Sequence, residues 1–225
     1  MKRHLVLLVA SLGLWLLPSH MLAARAQNRA QSFGPSGSLP TLQRAYPVQP
    51  LPINPNRLNS LSQRWAQNQY RLYGLSLQAL NRLQPLQPKD QVLALQLFNR
   101  QLLLYRSLEM LGGNGRPRFD SPVLRLMGEQ SQDLPNWKAA LLAAASALPQ
   151  GWLIWEYNLL TGEASIRSLR DSSEARFGSL PLVVIDLHTP NSSEGFSSRE
   201  AYLQAVLDNI SFEKIEQALE RFGVR

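Results

Sequence analysis

The stretch GWLIWEYNLLTGEASIRSL, residues 151–169, decides the fold, because the chain changes its period there. Aromatic and β-branched side chains crowd WLIWEYN, Thr161-Gly162 supplies a turn, and ASIRSL resumes extended spacing, so the two runs read as an antiparallel hairpin. After a loop, LPLVVIDL at residues 180–187 is a third apolar run of strand length. It ends in the carboxylate of Asp186, and His188 follows two residues on. A three-stranded antiparallel sheet is expected.

Upstream the spacing is helical. Over residues 57–83, Leu58, Leu61, Trp65, Leu72, Leu80 and Leu83 keep to three- and four-residue steps, which makes one apolar stripe. Asn68 or Gln69, and then Ser76, interrupt it. The prolines of QPLQP end this helix. Residues 90–111 form a second, more uniformly apolar helix closed by Gly112-Gly113, and the short link predicts an antiparallel pair. Two shorter helices follow, one capped by Asp120 or Ser121 with Pro122 in its first turn, the other capped by Asp133 or Asn136. Beyond the sheet, helices are expected at residues 198–207 and 211–222. Lys214 at the third position of the last one leaves Ser211 without a full capping box. The class is therefore α+β: an N-terminal long α-hairpin, then a C-terminal α/β layer with a three-stranded antiparallel sheet.

The N-terminus reads as a leader. Lys2 and Arg3 precede an uncharged run at residues 5–17, shorter than the roughly 20 apolar residues of a membrane span, and Ala24-Arg25-Ala26 fits a cleavage site. A signal peptide of residues 1–26 is expected, with an uncleaved anchor as the alternative. The body is then secreted or periplasmic, touching a membrane only through that signal or anchor. Residues 27–56, rich in Pro, Gln, Ser and Gly, are expected as a disordered tether. Residues 57–113 follow as a helical hairpin domain and 114–225 as an α+β domain. Losing Lys2, Arg3 and Arg25 with the leader takes the formal charge from +7 to +4. The remaining basic residues are scattered without interleaved aromatics, so no nucleic-acid partner is expected. The chain has no cysteine, which excludes disulfides and thiolate chemistry.

Five stretches resemble the iron/manganese superoxide dismutase family, and they occur in that family's order. They are LPINPNRLNSLS before the first helix, LEMLGGNGRP after the second, QGWLIWEY, PLVVIDLHTP, and AYLQAVLDNISFEKI. The resemblance covers residues 51–222 and implies the superoxide dismutase fold. It also implies iron or manganese held by three His and one Asp, cycling between two oxidation states to turn superoxide into oxygen and peroxide. Carried onto this sequence, the ligand Asp is Asp186. The His four residues later falls on Pro190. The first-helix His falls on Asn68 or Gln69, the second-helix His on Arg100 or Gln101, the gateway Tyr on Ser76, and the subunit-bridging Glu on Thr189.

Most of those replacements cannot ligate a redox ion. After leader removal His188 is the one histidine left, because His4 and His20 lie in the leader. Amides are weak ligands, and an inward Arg100 would repel a cation. Asp186 and His188 are the candidate metal residues, for iron or manganese if any ion binds. Against that stands a strand-end carboxylate bonded to backbone N–H groups or to an arginine. A hydrolytic Asp–His pair would need a nucleophile, and Ser192 and Ser193 lack the strand-turn-helix setting. Asn68, Gln69 and Gln101 are expected to satisfy one another by hydrogen bonding. The expectation is a superoxide dismutase-like protein without a working metal site or cofactor, acting as a structural or interaction module with a protein partner. The alternative is a divergent metal-dependent dismutase. Because the Glu–His bridge is absent, the oligomeric state is open.

Overall fold

Ser62 starts the first long helix, its Oγ accepting from Trp65 N at 3.0 Å, so α1 spans Gln63–Arg82. The helix expected from residue 57 begins later because Pro55–Arg57 forms a separate 3-10 turn and Ser60 adopts a φ of 60°. That left-handed backbone has no place inside an α-helix. The computed structural model describes residues 45–83, 87–131, 133–175, 178–188 and 195–224. The expected leader, residues 27–44 of the expected tether, and Thr189, Pro190, Ser192 and Ser193 lie outside them.

The remaining elements are α2 (Gln91–Glu109), α3 (Pro122–Ser131), α4 (Leu134–Ser146), β1 (Trp152–Asn158), β2 (Ala164–Leu169), β3 (Ser179–Asp186), α5 (Arg199–Asp208) and α6 (Phe212–Arg221). Among the described residues, six α-helices and one antiparallel sheet make the α+β class expected from the sequence. Asp133 accepts from Asn136 N at 2.8 Å to cap α4, and Ser198 accepts from Ala201 N at 3.1 Å to cap α5. At α3, Ser121 Oγ accepts from Val123 N at 3.2 Å. Among the described residues no helix is long and apolar enough to cross a membrane.

The sheet order is β2-β1-β3, so β1 is central and pairs antiparallel with both neighbours. One face carries Trp152, Ile154, Leu169 and Val184 against Tyr73 and Leu77 of α1 and Leu103 and Leu104 of α2. The other face carries Leu153, Trp155, Val183 and Ile185 against Trp137 and Leu141 of α4, Tyr202 of α5 and Phe212 of α6. Trp137 meets Trp155 edge-on at 4.9 Å between ring centroids. A register shift between Trp155 and Glu156 in the β1–β3 ladder lets both Leu182 and Val183 join this second core.

The boundary expected between residues 113 and 114 is a stitched seam. Gly113 N donates to Asn209 O and Ser211 N to Met110 O across it, and Gly115 N donates to Ile210 O just beyond it. A Cβ on Gly113 would stand 2.4 Å from Ile210 O, so only glycine lets these backbones touch. Asn209, fully buried, donates to Ala205 O at 2.7 Å and takes Asn59 N onto its Oδ1 at 2.7 Å. Its amide also donates to Asn59 O, which ties the approach to α1 onto the end of α5.

Residues 45–56, expected within a disordered tether, are pinned along the hairpin instead. Tyr46 N donates to Asn81 Oδ1 at 2.7 Å, and Asn81 Nδ2 donates back to Tyr46 O at 2.9 Å. Gln49 N donates to the Tyr73 hydroxyl at 3.0 Å, and the Tyr70 hydroxyl donates to Gln49 O at 2.7 Å. The prolines of this strap leave few backbone donors of its own, and helix side chains supply the bonds a lone segment lacks.

Candidate functional site

β3 delivers Asp186 to the end of the central strand pair, opposite Trp152 in the β1–β3 register. The chain then turns. Asp186 Oδ1 accepts from His188 N at 2.9 Å, a local side-chain-to-backbone turn that ends the strand. The same oxygen lies 2.9 Å from His188 Nδ1. The Asp186 side chain is only 5% exposed, while that of His188 is 39% exposed. With Nδ1 bonded to the carboxylate, a neutral His188 ring carries its proton there and keeps its lone pair on Nε2. The ring also meets Trp152 edge-on at 5.4 Å.

Two further contacts fix this corner. The buried Tyr202 hydroxyl of α5 donates to Asp186 O at 3.0 Å, and Leu187 N donates to Gly151 O at 2.8 Å. Tyr202 in turn packs against Trp65 of α1, with centroids 6.1 Å apart. The turn before β3 is docked on α2: Asn99 Nδ2 donates to Ser172 O at 3.0 Å, and Ser172 Oγ donates to Gln96 O at 3.1 Å. In that turn Asp171 is held below its ordinary carboxylate range. Its bond from Ser173 N does most of this, the Ser173 hydroxyl adds to it, burial opposes, and the charges of His188 and Arg100 help.

The one-residue ambiguities of the helices are resolved by burial. On α1, Gln69 is fully buried, whereas Asn68 is half-buried and its oxygen accepts from Arg71 Nη2 at 2.8 Å. On α2, Gln101 is buried and Arg100 is exposed. Arg100 therefore does not project inward, and its charge falls on Asp171 instead. The oxygen of Asn68 accepts from Arg71 on the outer side of the helix. Ser76 is buried about two turns beyond Gln69.

A redox ion of the kind the sequence resemblance implies needs three imidazoles and one carboxylate. The residues present do not fit it. Asp186 Oδ1 is already engaged by the backbone and ring of His188, and the inward positions of α1 and α2 offer amides. Among the described residues no group of three or more His, Cys, Asp or Glu comes together in a metal-holding arrangement. What the corner supplies chemically is a fixed carboxylate–imidazole pair backed by an indole.

No family model matches the chain, and no curated protein matches it in sequence.

Sequence reading missed the tyrosine cluster that holds the strap. Tyr70 and Tyr73 stand 5.7 Å apart, Tyr73 and Tyr105 5.2 Å apart, and the Tyr105 hydroxyl donates to Pro50 O at 3.4 Å. Burial raises the Tyr73 phenol and, with Glu109 and the other two tyrosines, pushes Tyr105 up to about 12. The signal was available: two tyrosines three apart on a helix, and a proline-spaced segment upstream with carbonyls to offer. The partners of the buried Glu156 were also missed. Glu156 of β1 receives Arg167 Nη1 at 3.0 Å and the Ser179 hydroxyl at 2.8 Å.

Proposed function

We propose that this chain is an exported protein of superoxide dismutase-like fold that works without a metal, as a structural or interaction module. The long hairpin followed by a three-stranded sheet and two closing helices supports the fold half of this reading. One observation carries the functional half. Asp186, the residue placed where the resemblance puts the ligand carboxylate, gives Oδ1 to the N–H and the ring of His188. The one ring that could serve as a ligand among the described residues is held on that carboxylate through Nδ1, and the helix positions for which the resemblance asks imidazoles carry the buried amides Gln69 and Gln101. Neutral amides bind a cycling iron or manganese ion far more weakly than imidazole does.

The test is elemental analysis of purified protein alongside an assay of superoxide consumption. Iron and manganese well below one equivalent are expected, with no consumption above that of free metal. Near-stoichiometric iron or manganese, with dismutation lost in Asp186→Ala, would establish the alternative, a divergent metal-dependent dismutase.

A further inference from the structure

All 16 Asp and Glu residues of the chain lie at or beyond Asp90, so every charge on α1 is cationic and the strap carries none. On α1 the exposed Arg64, Arg71, Leu75 and Arg82 recur at helical steps of seven, four and seven, a stripe about 27 Å long on one face. Exposed apolar side chains gather in the same part of the molecule. Among the six large ones exposed in the described residues, Val48, Leu75, Val92 and Leu93 belong to the strap and hairpin. Val92 and Leu93, 69% and 47% exposed, stand in the first turn of α2 beside the exposed Lys89, at the end of the hairpin where α1 finishes with Arg82. Asp90 is the one carboxylate there.

The strap brings the N-terminal chain to this same end, because Tyr46 is bonded in both directions to Asn81, next to Arg82. We propose that this cationic, apolar-studded tip and the outer face of α1 dock on an anionic membrane surface. Cations draw the face to acidic headgroups, and Leu75, Val92 and Leu93 enter the interface. A soluble polyanion would use the cations alone and leave the apolar side chains in water, so their interleaving favours a bilayer. This docking is independent of whether any metal binds at Asp186.

The chain lacks cysteine, so one can be introduced in the full-length protein and labelled with an environment-sensitive dye. Val92→Cys reports the tip, and Glu213→Cys on the exposed side of α6 is the control. Vesicles of phosphatidylcholine with about a third phosphatidylglycerol should blue-shift the label at position 92 and leave that at 213 unchanged, with reversal at about 1 M salt. In Arg71→Gln/Arg82→Gln/Lys89→Gln, with all three positions exposed, the vesicle concentration giving half the shift should rise at least about tenfold. The proposal falls if pure phosphatidylcholine gives an equal shift, which means tethering by the leader alone. It falls equally if position 92 is silent, if the triple variant matches the parent, or if heparin evokes the response and vesicles do not.

Discussion

Asp186 and Asn209 are short polar side chains at the ends of β3 and α5, the first closing a local turn and the second joining distant parts of the chain. Asp186 holds His188 by backbone and ring, and in Asp186→Ala both bonds to the carboxylate go. We expect a loss of about 1–3 kcal/mol in unfolding free energy. Nitrogen-15 NMR of His188 should also show the neutral ring moving from the Nδ1-protonated form to the commoner Nε2-protonated form. A ring that keeps its tautomer would mean that the carboxylate does not set it. Asn209→Ala, at a fully buried position, strips the Asn59 amide and carbonyl of their partner, and a comparable loss of about 1–3 kcal/mol is expected from urea titration. Sequence could identify Asp186 as a strand-end residue because an apolar run stops there. It could not choose between Asn68 and Gln69, since adjacent polar residues differ by 100° around a helix and a broken apolar stripe tolerates either. Burial made the choice.

The strap and α1 are elements whose partnership no periodicity records. Helix α1 was legible from its apolar stripe, but its buried line runs through Tyr73, Ser76 and Leu77, with Leu72 at the edge. Tyrosines earn burial here because strap carbonyls and amides meet their hydroxyls, a fact absent from hydropathy. That burial has a pH signature. The Tyr105 phenol stands at about 12 in the fold against an ordinary 10.0. A group whose folded pKa is raised contributes stability fully below pH 10, and the contribution is lost as pH rises through about 12, because the native state there binds more protons than the unfolded chain. Tyr73 acts in the same direction. Lys214, pushed down by burial against the pull of Glu109 and Glu213, acts oppositely, and its window closes at 10.5. Melting temperatures measured from about pH 9 to 12 should therefore fall most steeply above pH 10.5, and Tyr105→Phe should flatten that fall. An unchanged slope in the variant would remove Tyr105 as its source.

At the scale of the molecule, the order of helices and strands was readable, while the pairing of β3 with β1 and the closeness of the seam were not, since both rest on contacts between residues far apart in the chain. Those contacts decide whether the hairpin is a domain. Trp65, Leu108 and Leu111 are each at most 2% exposed, and they lie in one core with Trp137, Trp155 and Phe212 from beyond the seam. Cutting the chain after Gly113 would bare these side chains and would remove Asn209 from Asn59 and Gly113, and Ser211 from Met110. Each large apolar side chain returned to water loses about 1.5–3 kcal/mol, and a few such losses equal the whole stability of an ordinary domain. Residues 45–113 made alone should accordingly show no cooperative melting by circular dichroism. The full chain should unfold in urea in a single transition, with tryptophan fluorescence and far-ultraviolet ellipticity superimposing. Two separated transitions, or a fragment that melts sharply by itself, would show that the hairpin is held by its own contacts and that the seam merely joins two finished domains.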